Sequence, residues 1–418
     1  MLAPLAFYGA MAFYGSFLVL FIPKVRRTFV RLFSPTAPIT QTQLKPLDSL
    51  RGMAAVGIAC FHTFIWLRPY FDPLGRDIPI LRQLYKSVPV FVVLSGFLIY
   101  RSIRNFEKLD DLRYYVRRRV LRIYPLYMAS VLIYFALADV RPEPWSWFQR
   151  ILPEVFMMKV FGHQTFIYPA YWSLYVEELF YLSMPLWVIA TRRRPLLSAF
   201  IGLAIFTLIG SMVPDDTAMM KYFFIGIIAC EYLDSNKIRK LGQLGAGAML
   251  LTGISLLYLE NGYGDILGQF ISFVTSRFGA NLVFDRPYNP SDPYQHYYTF
   301  TLGVGFGFIL LGAIKFRPAN WLLSTFPLRF LGTVSYSLFI WNGFIVLNGT
   351  NLYLNTMMPM LSFGNTAFPP SLRGGPFSFF GFYIPSFVFV ASVSYLIFER
   401  PFLLLRGKKV SIPVRQSS

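Results

Sequence analysis

Two titratable or charged residues, Arg51 and His62, lie eleven positions apart in one apolar stretch of the sequence. In an α-helix this spacing returns His62 to within ~20° of the face of Arg51, about 16 Å further along the axis. Such groups inside a membrane span are costly and often mark a functional site. Because an imidazole can accept a proton at neutral pH, the pair suggests a general base on the same helix face as an anion-binding arginine.

The residues between this pair, from Gly52 to Phe61, are mostly small. Small side chains let a second helix or a thin ligand approach a helix closely. A structural interpretation is also open, in which Arg51 caps Asp48 or reaches lipid headgroups and His62 hydrogen-bonds a neighbouring helix.

Two carboxylates, Glu177 and Glu178, follow the start of another apolar stretch at Tyr171. Glu177 is predicted about 9 Å from the outer end of its helix, and His62 about 7 Å from the outer end of its own. These matching depths predict that Glu177 meets His62, where a carboxylate could orient an imidazole and stabilise its charged form. The alternative is a structural hydrogen bond or a pore-facing carboxylate, and for Glu178 that alternative is favoured.

A cluster of arginines, Arg117 to Arg119 and then Arg122, precedes the fourth apolar stretch. Guanidinium groups bind phosphates through paired hydrogen bonds, so Arg118, Arg119 and Arg122 could hold an anionic substrate. The alternative is a topology signal that contacts lipid headgroups, and the cluster by itself favours that alternative.

Histidine and cysteine are too scarce for a multi-histidine metal site or a disulfide framework. The histidines are His62, His163 and His296, and the two cysteines, Cys60 and Cys230, both lie in apolar stretches. We therefore predict that these residue types hold no metal ion.

The composition indicates a membrane protein. Hydrophobic residues make up 55% of the 418 residues, charged residues make up 14%, and the mean hydropathy is +0.49. Soluble domains carry about 25% charged residues, and a soluble chain this apolar would expose large apolar patches. The net charge of +19 comes from basic residues between apolar stretches, which favours cytoplasmic loops over nucleic-acid binding.

Apolar stretches long enough to cross a bilayer recur along the chain. A hydrocarbon core needs about 20 apolar residues per helix, and the sequence offers about eleven candidate stretches. They predict an all-α, polytopic transmembrane helical bundle whose third span is short. The predicted spans are Leu2–Ile22, Leu50–Leu67, Ser87–Tyr100, Ile123–Val140, Tyr171–Ala190, Leu196–Val213, Met219–Leu233, Gln243–Leu259, His296–Phe316, Phe330–Leu347 and Phe380–Phe398.

The positions of lysine and arginine predict the orientation of these spans. The first stretch is not preceded by basic residues but is followed by Lys24, Arg26, Arg27 and Arg31, which indicates a retained helix and not a secretory signal. With the N-terminus outside, more than twice as many basic residues fall in cytoplasmic segments as in outer segments. We therefore expect an outer N-terminus, a cytoplasmic C-terminus and contact with membrane lipids.

Six short segments occur in an order that resembles the acyltransferase-3 family of membrane acyltransferases. The resemblance divides the chain into residues 1–46, an extra N-terminal helix and linker; 47–402, the acyltransferase-3-like domain; and 403–418, a basic cytoplasmic tail. The matching segments are Leu47–Ala55 with His62, Val90–Leu98, Arg117–Tyr127, Trp172–Tyr181, Tyr222–Gly226 and Gly332–Leu338.

The chain departs from the family pattern at two places. Many members have a histidine shortly after the Ser-Tyr-Ser segment, where this chain has Asn342, an amide that can hydrogen-bond an acceptor substrate. The family commonly has ten spans, so Leu2–Ile22 would be an additional N-terminal helix.

The resemblance implies transfer of an acyl group, most often acetyl, from cytoplasmic acyl-CoA to a hydroxyl of a glycan or glycolipid. Acyl-CoA is then a co-substrate, no bound cofactor or metal is expected, and the location is the plasma membrane, in the family most often a bacterial inner membrane. His62 and Glu177 are the implied catalytic residues, by direct attack of the acceptor or through an acyl-imidazole. The implied substrate-binding residues are Arg51, Arg118, Arg119, Arg122, Trp172, Ser173, Tyr181, Ser335, Tyr336 and Asn342.

Two other classes of function are open from the sequence. In a transporter, Arg51, Glu177 and Glu231 would line a proton or solute path, although inverted repeats are not evident in the sequence. A structural or anchoring membrane protein would have no reason to hold His62 and Glu177 at matching depths.

Overall fold

The computed structural model describes residues 23–33, 44–71, 81, 83–106, 109–137, 154, 171–212, 219–263, 266–277, 299–352 and 383–405. Within these ranges all regular structure is helical, as the apolar pattern predicts, and none of it is a strand. The first predicted span, Leu2–Ile22, lies outside the described residues.

The regular elements of the described residues are α-helices and two short turns of other helical types. A 3-10 turn, Gln83–Lys86, leads into α3, and a π-helical turn, Tyr395–Glu399, joins the last two helices. The helices are α1 Pro23–Phe33, α2 Lys45–Phe71, α3 Ser87–Ile103, α4 Leu109–Leu137, α5 Tyr171–Thr191, α6 Pro195–Met212, α7 Met220–Asp234, α8 Asn236–Arg239, α9 Gln243–Tyr263, α10 Ile266–Ser276, α11 Phe300–Lys315, α12 Arg317–Leu323, α13 Phe326–Thr333, α14 Ser335–Leu352, α15 Ile384–Ser394 and α16 Arg400–Leu404.

Three helices of the described part are long and apolar enough to cross a membrane, namely Gln83–Ile103, Gln243–Glu260 and Ile384–Leu404. A fourth span results if α11 and α12, which meet at 89°, are taken together. The expected number of about eleven spans is therefore not confirmed, although every predicted span from Leu50 onward overlaps a helix.

Two helices differ from their predicted spans in ways that matter for the site. The predicted span Phe330–Leu347 is broken at Val334 into α13 and α14, and Val334 has φ −93° and ψ 6°, outside the α-helical region. Residues 123–137 of the predicted span Ile123–Val140 belong to a longer helix that begins at Leu109, so the arginine cluster is itself helical. The arginine cluster therefore lies on a helix and not in a loop.

Glycines allow two pairs of helices to pack closely. A methyl group on Gly52 would collide with the backbone of Leu331 and Gly332, and one on Gly332 would collide with the backbone of Asp48. In α3 and α7, methyl groups on Gly96 or Gly226 would likewise meet backbone atoms of the facing helix. Close contact between small residues is a main source of helix association in membranes.

Helix α1, the first of the described helices, is amphipathic and packs against the bundle through its aromatic face. The ring of Phe33 lies 5.0 Å from Phe330 and 5.6 Å from Tyr395, centroid to centroid. Its basic residues Lys24 and Arg31 are exposed. The linker expected within residues 1–46 thus contains an ordered helix, because its aromatic residues recur at helical spacing and find a partner surface.

The contact between α3 and α7 yields a prediction about stability. Gly96→Ala should destabilise the protein by about 1–3 kcal/mol, because the added methyl group meets the backbone around Phe223, which cannot move aside as a side chain can. Gly242→Ala is the control, because a methyl group there meets nothing within 4 Å. The measurement is the Tm of each purified variant, and equal Tm values would contradict the described packing.

Candidate active site

A cavity of about 320 Å³ lies among helices α2, α3, α4, α5 and α14, with Phe223 of α7 on one side. Its lining combines charged and hydroxyl side chains with aliphatic and aromatic side chains. The polar and charged lining residues are Asp48, Arg51, Ser95, Ser102, Tyr114, Tyr115, Arg118, Arg119, Arg122, Ser173, Glu177, Tyr181, Ser335 and Tyr336.

Helical periodicity explains why distant sequence motifs line one cavity. On α5, Ser173, Glu177 and Tyr181 recur every four residues and therefore share a face. On α4, Arg118 and Arg122 are related in the same way. The sequence-predicted residues Arg51, Arg119, Ser335 and Tyr336 also line the cavity.

The charge of the lining is predominantly positive. Four arginine side chains and only two carboxylates face the cavity, namely Arg51, Arg118, Arg119, Arg122, Asp48 and Glu177. Arg122 lies close enough to Arg51 for the two positive charges to repel each other. Such an arrangement favours an anionic ligand, since an anion between the guanidinium groups relieves their repulsion and accepts their hydrogen bonds.

Arg51 is held at the break between α13 and α14. Its Nε donates to Ser335 Oγ at 2.9 Å, and a terminal nitrogen donates to the carbonyl of Gly332 at 2.9 Å. Ser335 Oγ in turn donates to the same carbonyl at 2.9 Å. The guanidinium is therefore fixed by helix ends and does not extend along the helix surface to headgroups.

Tyrosine rings hold two of the other arginines. The guanidinium of Arg119 lies 5.3 Å from the ring centroid of Tyr115 and 4.9 Å from that of Tyr181. Arg118 lies 5.3 Å from the ring centroid of Tyr114. Cation–π contacts of this kind orient the guanidinium groups while their charge remains available to a ligand.

Glu177 belongs to the arginine end of the cavity. Its carboxylate accepts hydrogen bonds from Ser95 Oγ at 2.7 Å and from the hydroxyl of Tyr181. Tyr181 contacts Arg119, so these contacts connect Glu177 to the arginine cluster.

The expected contact between Glu177 and His62 is therefore wrong. The depth of Glu177 was counted from Tyr171, but Tyr171 is only 1% exposed and its hydroxyl hydrogen-bonds Ser130 at 2.7 Å. Helix α5 thus begins among the other helices, so Tyr171 does not mark an outer surface from which the depth of Glu177 can be counted.

The hydrogen-bond partner of His62 is Asn342, 2.6 Å from Nδ1 to the amide oxygen. Asn342 is fully buried, and its amide nitrogen donates to the carbonyl of Phe339. That second bond assigns the orientation of the amide, because a carbonyl can only accept. Nδ1 is then the protonated nitrogen, and Nε2 is the nitrogen that can accept a proton.

The pair of His62 and Asn342 lies just beyond the cavity. Ile58 and Phe339 line the cavity, and His62 and Asn342 follow them by about one helical turn, roughly 6 Å and 4.5 Å along the respective axes. The side chain of Trp172 lies outside the described residues, as do His163 and His296. Among the described residues, no group of three or more His, Cys, Asp or Glu side chains is placed to bind a metal ion.

Ser95, Tyr114 and Tyr115 also lie in the cavity wall, and none of them was predicted as a site residue. The tyrosines precede Arg118 and Arg119 by four positions, which is the spacing of neighbours on a helix face. Ser95 lies within one of the family segments, but its partner on α5 is 82 positions away in the sequence.

Comparisons with known proteins identify a family for the chain. The chain matches the acyltransferase-3 family, described as an acyltransferase domain, over residues 45–399. It is similar to the acyltransferase MdmB of Streptomyces mycarofaciens, with 31% identity over 169 residues, 38% of this chain and 42% of that protein. It is also similar to ORF330 of Acidianus two-tailed virus, which bears the name of an acetyltransferase, with 29% identity over 141 residues, 34% of this chain and 39% of that protein.

These alignments span about two fifths of the length of each relative. No solved structure matches the chain. Because the family match covers nearly all of the chain from α2 to the π-helical turn, the chain belongs to the acyltransferase-3 family.

Proposed function

We propose that the protein is a membrane O-acyltransferase that transfers an acyl group, most often acetyl, from cytoplasmic acyl-CoA to a hydroxyl of a glycan or glycolipid. The observation that carries the proposal is the cavity, which has an arginine cluster at one part and ends one helical turn from His62. The proposed setting is the plasma membrane, with the arginine cluster at the cytoplasmic side.

The anionic donor would enter at the arginines. Arg118 and Arg122 would hold phosphates of coenzyme A, and the partly buried ring of Tyr114 offers a surface on which a nucleobase can stack. The acylated arm would lie along the apolar wall toward Ile58 and Phe339. Lining residues of α3 from Val88 to Ser102 extend over about 21 Å of helix, which suits a thin, elongated ligand.

His62 would then act as the general base. Its Nε2 would take the proton of the acceptor hydroxyl as the oxygen attacks the thioester carbonyl. The carbon–sulfur bond breaks, the ester forms, and the coenzyme A thiolate recovers the proton from the imidazolium. Alternatively, Nε2 of His62 takes the acyl group first, and the acceptor hydroxyl then attacks this acyl-imidazole to give the same products. Both routes need Nε2 to be unprotonated at the start.

Glu177 would serve the donor part of the site. By accepting hydrogen bonds from Ser95 and Tyr181 it would fix the tyrosine ring on which Arg119 rests. Its proposed catalytic contribution is therefore to position the arginine cluster, and Asn342 would replace it as the residue that orients His62.

A transporter is less well supported because its three expected path residues do not share one cavity. Arg51 and Glu177 line the cavity, whereas Glu231 accepts a hydrogen bond from Tyr100 at 2.7 Å and lies near Arg104, between α3 and α7. Consumption of acetyl-CoA by the purified full chain tests the enzyme against the transporter, since a transporter would leave the thioester intact.

The proposed role of His62 as the general base can be tested by substitution. His62→Ala should lower the rate of acyl transfer by about 10²–10⁴-fold, the usual contribution of a general base. Binding of coenzyme A should stay near that of the parent, because His62 lies outside the cavity wall. A folded variant whose rate stays within about threefold of the parent would show that the base is elsewhere.

The second prediction concerns the orientation of the imidazole. Asn342→Leu removes the buried acceptor at Nδ1 and should lower the rate about 10- to 100-fold, the size of a lost buried hydrogen bond. Asn342→His keeps a nitrogen acceptor and should retain more activity than the leucine variant. Equal rates for the parent and the leucine variant would contradict the proposed role of Asn342.

The third prediction concerns the arginine cluster. Arg118→Ala and Arg122→Ala should each raise the KM for acetyl-CoA by roughly tenfold, because each removes a charge-assisted hydrogen bond to phosphate. Arg117→Ala is the matched control, since Arg117 is exposed and donates to the carbonyl of Leu405 at 3.0 Å. Unchanged KM values in folded Arg118 and Arg122 variants would show that the cluster does not bind the donor and acts only as a signal for the orientation of the helices in the membrane.

A further inference from the structure

Glu399 is a buried carboxylate that the proposed mechanism does not use. It is 3% exposed and is the last residue of the π-helical turn Tyr395–Glu399 between α15 and α16. A π-helical turn accommodates one additional residue in a helix and often occurs at functional positions, where it redirects side chains. Here it coincides with the position at which Glu399 meets α14.

The carboxylate of Glu399 binds the first turn of α14. One of its oxygens accepts from the backbone N–H of Ser337 at 3.1 Å and from the hydroxyl of Ser337 at 2.5 Å. The first N–H groups of a helix lack partners within that helix, and the helix dipole favours a negative charge near them. Glu399 is therefore an N-terminal cap supplied from another helix.

The turn that Glu399 caps also holds part of the cavity. Ser335 accepts the hydrogen bond from Arg51 at 2.9 Å, and the hydroxyl of Tyr336 donates to the carbonyl of Ile123, the neighbour of Arg122, at 3.0 Å. A change in the position of this turn would consequently move the contacts of Arg51 and the wall beside Arg122. Glu399 also lies close enough to Arg51 and Arg122 for electrostatic attraction.

We propose that Glu399 is a positioning residue for the donor site, which it maintains by holding the first turn of α14 through Ser337. This inference rests on the proposed use of acyl-CoA as the donor. It assigns the effect to the hydrogen bonds and not to the charge. A purely structural cap would change the Tm without changing the affinity of the folded protein for the donor.

Two substitutions separate the hydrogen bonds from the charge. Glu399→Asp keeps the negative charge but shortens the side chain by one methylene, which withdraws the carboxylate from Ser337. It should raise the KM for acetyl-CoA and the Kd for coenzyme A roughly fivefold, in line with a weakened helix cap, and leave kcat within about twofold. Glu399→Gln removes the charge but keeps an acceptor oxygen for Ser337, so its KM and Kd should equal those of the parent.

Two variants in the same buried cluster complete the design. Ser394→Ala is the control, because Ser394 contacts Ser337 and Trp341 but not Glu399, and its donor KM should equal that of the parent. Ser337→Ala removes one of the two donors to Glu399, should raise KM about twofold, and provides the test if Glu399→Asp does not fold.

The measurements are coenzyme A binding and acetyl-CoA consumption by the purified full chain. A KM equal to that of the parent in folded Glu399→Asp would overturn the inference. If Glu399→Asp does not fold, a KM equal to that of the parent in Ser337→Ala would overturn it. A rise in the glutamine variant as large as that in the aspartate variant would also overturn it, since the hydrogen bonds that glutamine keeps would then not account for the effect. If the parent itself neither binds coenzyme A nor consumes acetyl-CoA, the proposed function fails as well, which is a different result from a failure confined to Glu399.

Discussion

The hydrogen bonds of Arg51 to Ser335 and Gly332 determine how the helices around the cavity meet. A guanidinium group inside an apolar bundle requires acceptors, and the break between α13 and α14 supplies them. Glycine at position 52 and at position 332 lets α2 approach this break closely enough for the bonds to form. This junction holds Arg51 in the cavity wall and sets how closely α2 packs against α13 and α14.

Helix α2 carries one residue of each chemical part of the site. Arg51 lies at the arginine cluster, and His62 lies about 16 Å further along α2, beyond the cavity wall. Because both residues are on one rigid helix, their separation is fixed by the helix and not by loops. This arrangement suits a reaction in which an anionic, elongated donor and a hydroxyl acceptor approach the reacting carbon from different sides of a membrane.

Features that depend on local helical spacing could be predicted from the sequence. Arg51 and His62 on one helix, and the clustering of Arg118 and Arg122, follow from residue intervals alone. The depth of Glu177 could not be obtained in this way, because it depends on Tyr171 being buried inside the bundle. The junction at Val334 and the cap from Glu399 were not predicted either, since they depend on contacts between distant segments.

The proposed mechanism requires that the cavity is the donor site. A structure of the full chain with bound coenzyme A, determined by electron cryomicroscopy, tests this claim. We expect the phosphates to contact Arg118 and Arg122 and the thiol to lie at the end of the cavity, near Ile58 and Nε2 of His62. Coenzyme A bound away from these arginines, with its thiol remote from His62, would contradict the account.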